Sequence, residues 1–250
     1  MPIDIQTVGV LGGGVMGAGI AQALAVGGCR VAVRDLTPEL IDKARATIVD
    51  GRYGLKRGVE RGKTTQADAD AALARLSFTT DLTDLRDVDL IVEAVPENID
   101  LKKRVFAEVD QIVRPQALFA SNTSGLAISA LNQAVSDARR PRFIGMHWFS
   151  PAPVMKLVEL VHAPETSQET IQALEALCQK AGKVSIRVKD APGAYGFVAN
   201  RIYFAAVREA QKVMEEGIAS VEDINKAMVY GFNWPVGPLA MVEGATKGWQ

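Results

Sequence analysis

The sequence predicts an α/β fold of the doubly wound kind: a mostly parallel sheet covered on both faces by helices, then a smaller all-helical domain. Three observations carry that prediction. A glycine-punctuated strand, turn and helix opens the chain over residues 7–25. Apolar strands then alternate with amphipathic helices as far as residue 189, the pattern of βαβ units. Beyond the breaker-rich stretch Asp190-Ala-Pro-Gly-Ala-Tyr-Gly196, every segment reads as helical. The expected domains are residues 1–189, built on the sheet, and residues 190–250, built of helices.

Each element has its own reason. The apolar run 7–11 reads as a buried strand that breaks into Gly12, Gly13 and Gly14, after which Val15, Met16 and Gly17 open a helix of small residues. Gly12-x-Gly14-x-x-Gly17 is a dinucleotide-binding fingerprint. Its first glycine permits the tight turn, the second lets a pyrophosphate approach the backbone, and the third lets the helix close on the sheet. The helix N-terminus offers unpaired N–H groups and partial positive charge to phosphates. A glycine-rich turn by itself is a common strand-to-helix connection. Here a second strand, 30–34, ends in Asp35, about 20 residues downstream, where a carboxylate for ribose hydroxyls belongs. The combination predicts a Rossmann-type domain.

Further along, Thr37-Pro38-Glu39 is an N-cap, a first-turn proline and an acid, predicting a helix from 38 into the fifties. Helices are expected over 66–76, 100–113 and 128–135, and strands over 77–80, 89–95, 117–120, 143–146, 157–161 and 184–188. Thr166-x-x-Glu169 is a capping-box pattern for a helix reaching Lys180. In the C-terminal part, helices are expected over 197–216 and, behind Ser220-x-x-Asp223, over 221–230.

Composition narrows the function. With 250 residues, 48% of them hydrophobic, a sizeable core is expected, and a net charge of −1 gives no general nucleic-acid footprint. Cys29 and Cys178 are far apart and in no metal spacing, so they read as buried thiols in a reducing compartment. No leader precedes the first strand and no apolar run reaches the ~18 residues of a membrane helix. A soluble, cytoplasmic protein without a metal is expected.

Two histidines make the search for a general base short. His162, at a strand end, reads as structural. His147, in Gly145-Met-His-Trp-Phe-Ser-Pro151, is placed just past the carboxyl end of a strand, where doubly wound sheets bind ligands. If the chain folds back as a hairpin around Pro153, His147 and Glu159 are equidistant from the turn and face each other. Glu159 stands in the otherwise apolar Lys156-Leu-Val-Glu-Leu-Val161, where a buried carboxylate needs a partner; the alternative is an edge strand with Glu159 facing solvent. A His–Glu pair suits alcohol oxidation, which needs a base near neutral pH and a group to orient it. Ser121-Asn-Thr-Ser124-Gly125 follows another strand end and reads either as a set of hydrogen-bonding groups for substrate and cofactor ribose or as a turn with no catalytic role.

In their order and spacing, GGGVMGAGIAQALA, LIVEAVPEN, ASNTSG, GMHWFSPAPVMKLVELV and GFVANRI closely resemble the L-3-hydroxyacyl-CoA dehydrogenases, especially the short 3-hydroxybutyryl-CoA type. The resemblance implies NAD as cofactor, an acyl-CoA substrate and a helical C-terminal domain that forms a homodimer. It makes His147 the base, Glu159 its orienting group, and Ser124 and Asn200 the holders of the substrate oxygen. Asp35, Glu97, Lys102, Ser124 and Ser150 match positions near the cofactor, above Gly12–Gly17. Asp35 favours NAD over NADP by repelling a 2′-phosphate, with Arg34 beside it as a countervailing charge.

Three departures accompany the likeness. Some relatives carry lysines at Asp50 and Gly54, so Arg52 and Lys56, read as four apart on one helix face, are the candidates for the CoA 3′-phosphate; a solvated basic face is the alternative. The stretch from Pro192 to Phe197 is longer than the family's usual step, which shifts Asn200. The sequence ends at Gln250, where relatives continue for a few more helices, so either a shortened or reorganised helical domain or the absence of part of the dimer interface is expected. Two other functions compete: a dehydrogenase of a free 3-hydroxy acid, and a nucleotide-binding protein without turnover.

Overall fold

The computed structural model describes residues 3–247, which divide into two compact units, 3–194 and 195–247. The first unit is one eight-stranded sheet with its helices. Its strands are β1 (Thr7–Leu11), β2 (Arg30–Arg34), β3 (Leu76–Thr79), β4 (Leu90–Glu93), β5 (Leu118–Ser121), β6 (Phe143–Trp148), β7 (Leu157–His162) and β8 (Val184–Lys189). They lie in the order β3-β2-β1-β4-β5-β6-β7-β8. Only β6 and β7 pair antiparallel. The sequence order reverses between β1 and β4, the place where open α/β sheets leave a crevice for a ligand. Every residue of β4, β5 and β6 is buried, as a sheet covered on both faces requires.

The helices of this unit are α1 (Val15–Val26), α2 (Pro38–Asp50), α3 (Leu55–Glu60), α4 (Gln66–Ala74), α5 (Ile99–Ile112), α6 (Ile128–Leu131) and α7 (Gln168–Lys180). The Thr37 side chain caps α2 by accepting from the Leu40 N–H. The helix stops at Asp50 rather than in the fifties. Gly51 turns out of helical geometry, and a Cβ there would lie 2.3 Å from the Thr47 carbonyl oxygen. Arg52 therefore falls in a turn and Lys56 on a separate helix, so the expected single basic face does not form.

Ser167, not Thr166, caps α7. Thr166 is buried, and its hydroxyl is spent bridging the Ala163 N–H (3.1 Å) and the Phe143 carbonyl (2.8 Å). Both cysteines are buried; burial pushes the Cys178 thiol up to about 12, which leaves it inert at neutral pH.

Residues 190–194 of the predicted hinge belong to the first unit, because Asp190 is tied to it. Its N–H donates to the His162 carbonyl at 2.9 Å, and its carboxylate accepts from the Ile128 and Ser129 N–H groups that open α6. The second unit contains α8 (Ala199–Glu215), α9 (Val221–Phe232) and α10 (Pro238–Lys247). Gly196 and Phe197 both have positive φ, so α8 begins at Ala199 instead of 197. Ser220 caps α9 as its sequence pattern predicts. Among the described residues, no helix is long and apolar enough to cross a membrane.

Candidate active site

The crevice begins at the glycine turn. Gly12 has φ +91°, and a Cβ there would sit 2.8 Å from the Ala94 carbonyl oxygen. At Gly17 a Cβ would come within 1.8 Å of the Gly12 oxygen, so only glycine lets α1 start this close to β1. Nothing lies within 4 Å of a Cβ built on Gly14, which leaves its backbone open to an approaching phosphate. Val15 is exposed beside it and Met16 half-buried. Asp35, at the end of β2, accepts from the Gly13 N–H at 2.7 Å and from its neighbour Leu36 at 2.7 Å. Arg34 is tied elsewhere, donating to the Thr80 carbonyl at 3.3 Å. This cradle fits a dinucleotide with an unphosphorylated ribose.

His147 lies inside β6, not past its end, because pairing with β7 continues through Trp148. The antiparallel register sets His147 directly opposite Glu159. Their side chains meet, Nδ1 to Oε2, at 2.7 Å, with the imidazole 3% and the carboxylate 0% exposed. Phe149 packs its ring 4.6 Å from the imidazole, centre to centre. A low-dielectric setting strengthens such a contact and makes an unpaired Glu159 costly.

The turn after β5 is committed to a second network. Asn122 accepts from the Trp148 N–H at 2.9 Å, fastening the turn to the strand that carries His147. Glu97 accepts from the Thr123 hydroxyl and, at 2.9 Å, from the Ser124 N–H. Its other oxygen is 3.3 Å from the Lys102 ammonium. Lys102, almost wholly buried on α5, pairs at 2.6 Å with Glu93, the last residue of β4. Burial pushes the Glu93 carboxyl up, although the Lys102 ammonium and the hydrogen bonds around it pull the other way. Glu97, Lys102 and Ser124 are thus one connected set. The sequence reading passes over Glu93, and it groups Asn122 and Thr123 in the 121–125 turn without assigning either a partner.

A cavity of about 520 Å³ lies between α1, α3 and the turn that joins β6 to β7. Arg52, Arg57, Arg61, Lys63, Lys156 and Lys183 line it, and no lining residue is acidic. Arg57 is partly neutralised by Glu60 at 2.7 Å. Lys183 donates to the Ala152 and Met155 carbonyls, and burial together with the neighbouring Lys156 holds its ammonium below the usual lysine range. Lys56 does not line the cavity; it faces Asp50 at 3.5 Å. Ser150 is exposed in the turn after β6, and Asn200 lies in the first turn of α8 in the second unit.

Residues 7–191 match the family model described as 3-hydroxyacyl-CoA dehydrogenase, NAD binding domain, and residues 196–249 match its C-terminal domain. The chain is 41% identical over 235 residues to a probable 3-hydroxybutyryl-CoA dehydrogenase of Deinococcus radiodurans, covering 94% of this chain and 81% of that one. It is 39% identical over 244 residues to a mitochondrial hydroxyacyl-coenzyme A dehydrogenase of Rattus norvegicus, covering 96% and 76%. The crystal structure of (S)-3-hydroxybutyryl-CoA dehydrogenase from Ralstonia eutropha superposes with a TM-score of 0.89 at 44% identity, over 95% of this chain and 81% of that one.

Proposed function

The chain belongs to the NAD-dependent 3-hydroxyacyl-CoA dehydrogenases, and from that premise we propose that it moves a hydride reversibly between NAD(H) and C3 of a short-chain substrate, 3-hydroxybutyryl-CoA or acetoacetyl-CoA. The observation that carries the mechanism is the buried contact of 2.7 Å between His147 Nδ1 and Glu159. Glu159 accepts from Nδ1–H and so selects the tautomer whose Nε2 has a free electron pair. Nε2 takes the C3-hydroxyl proton as the substrate is oxidised, and the carboxylate stabilises the imidazolium that results. In the reducing direction the same nitrogen returns the proton to the oxygen. Bound NAD supplies the hydride acceptor. Ser124, whose N–H is fixed by Glu97, and Asn200 hydrogen-bond the substrate oxygen and stabilise negative charge developing on it. Asp35 holds the adenosine ribose and selects NAD; Glu97, Lys102 and Ser150 complete the cofactor side. The first unit serves the cofactor and carries the cationic cavity for the CoA tail, and the second serves substrate and assembly.

The cationic cavity supports CoA over a free acid. Three phosphates of a CoA tail need several cations, and Arg52, Arg61, Lys63 and Lys156 provide them, with Arg57 beside them shared with Glu60. Lys56 has no part in it. Reduction of acetoacetyl-CoA, measured by NADH oxidation, tests the reading against acetoacetate and acetoacetyl-pantetheine. With Arg61→Ala and Lys156→Ala combined, KM for acetoacetyl-CoA is expected to rise about a hundredfold, one decade for each lost charge-assisted hydrogen bond, while acetoacetyl-pantetheine is unaffected. Equal turnover of free acetoacetate would move the assignment to a hydroxy-acid dehydrogenase; no NADH oxidation at all would leave a nucleotide-binding protein.

A homodimer is the assembly proposed. The second unit exposes Ile202, Ile218, Tyr230 and Phe232, each 65% or more. Large apolar side chains exposed in this number on a small helical unit favour self-association. Sedimentation equilibrium at micromolar concentration should return twice the chain mass, and a monomer there would refute it. A cytoplasmic location completes the reading.

A further inference from the structure

Glu93 has no part in the chemistry above, yet its place is unusual. It ends β4, one of the two strands flanking the point where strand order reverses, and it is completely buried. Its strand neighbour across the ladder is Ser121, the last residue of β5, whose hydroxyl donates to Oε2 at 2.6 Å. Oε1 accepts from the Lys102 ammonium at 2.6 Å and from the Val95 N–H at 2.7 Å. An apolar residue would fill this position at lower cost, since a buried ion pair is often no more stabilising than the hydrophobic groups that could replace it.

The geometry of Lys102 supplies a reason. One ammonium stands between two carboxylates, close to Glu93 at 2.6 Å and looser to Glu97 at 3.3 Å, with a third contact to the Val95 carbonyl at 3.1 Å. The buried carboxylate therefore holds the charge back. Glu97, 41% exposed, keeps one oxygen on the Thr123–Ser124 turn and the other only weakly engaged. We propose that Glu93 is a positioning residue for the cofactor side of the site: by anchoring Lys102 it keeps the ammonium from collapsing onto Glu97, so that Glu97 can fix the Ser124 turn and still accept a hydrogen bond from a bound ribose. This rests on the assignment of Glu97, Lys102 and Ser124 to the cofactor side.

The test is NADH affinity by fluorescence titration, which needs no turnover, in Glu93→Gln, Lys102→Met and the double variant. In E93Q the dissociation constant and KM for NADH are expected to rise about tenfold, while kcat at saturating NADH stays within about threefold, the signature of misplacement and not of lost chemistry. Because Glu93 acts through Lys102, adding E93Q to K102M should change NADH affinity by less than about twofold. Amide exchange of the ligand-free protein adds a second readout, with the Ser124 segment exchanging faster in E93Q. Wild-type NADH affinity in E93Q, or a full further tenfold loss on top of K102M, would overturn the proposal. If E93Q folds poorly, the double variant, neutral at both positions, carries the same comparison against K102M. Failure of the wild type to reduce acetoacetyl-CoA while binding NADH would count against the substrate reading alone.

Discussion

Replacing His147 with glutamine is expected to lower kcat for acetoacetyl-CoA reduction about a thousandfold, with the NADH dissociation constant unchanged within about twofold. Glutamine is close in size and can donate to Glu159, so the buried carboxylate keeps a partner and the hairpin keeps its packing. What it lacks is a nitrogen that takes and returns a proton near neutral pH. The loss should therefore fall on kcat and kcat/KM alike, as when an interaction present only in the transition state is removed. Steady-state rates at saturating NADH, set beside a fluorescence titration, separate the two effects. Unchanged turnover would remove His147 from the mechanism and leave the buried pair a packing device.

The second large effect is on stability and lies away from the chemistry. Arg139 is 3% exposed and spends its guanidinium on Asp110 at 2.8 Å and on the carbonyls of Val113, Arg114, Pro115 and Ala117, with its plane over Phe119. It closes the C-terminus of α5 and fixes the start of β5, which delivers the Ser121–Gly125 turn to the crevice. Arg139→Met should cost about 3–5 kcal/mol, because the buried Asp110 would lose its paired cation and keep the Ser136 N–H, while four carbonyls lose the guanidinium as donor. The pH dependence has a definite sign. Burial pushes the Asp110 carboxyl up, but hydrogen bonds from Arg139 and Ser136 outweigh it and hold it below the usual carboxylate range. A depressed carboxyl contributes stability above its unfolded value, about 3.9, and that contribution disappears as pH falls through the folded value. Urea unfolding should thus show a wide gap between wild type and variant at pH 7 and a narrower one near pH 3. A gap that widens on acidification would contradict the pairing.

Much of this architecture follows from local arithmetic. The β1–α1–β2 unit is legible because a tight turn and a close helix demand glycines at fixed offsets, and Asp35 arrives where β2 ends. The His147–Glu159 contact is legible because a hairpin fixes who faces whom once its centre is known, and the register pairs those two residues. Other features depend on space that the sequence does not display. The chain turns out of α2 at Gly51, where any Cβ would meet the Thr47 carbonyl, which separates Arg52 from Lys56, and the cations that gather around the cavity come from three separate segments, 52–63, Lys156 and Lys183. Thr166 has the cap pattern but is drawn into the core, so the next residue takes the role. Glu93 is instructive because the argument that singles out Glu159, a carboxylate inside an apolar strand, applies to it equally. Its partner is on the following helix, nine residues on, so strand pairing alone could not point to it.

His147 and Glu159 sit on neighbouring strands, and β7 is held on its far side by β8 as well. The spacing between imidazole and carboxylate is therefore set by the sheet, independently of the segment 149–156 that bridges them. That bridge is itself tied down at Phe149, which packs on the imidazole, and at Ala152 and Met155, whose carbonyls accept from Lys183, while its Val154 side chain stands exposed on the cavity wall. Substituting Val154 alone should change which thioesters are admitted without disturbing the His147–Glu159 contact, making it the natural first target for redirecting selectivity.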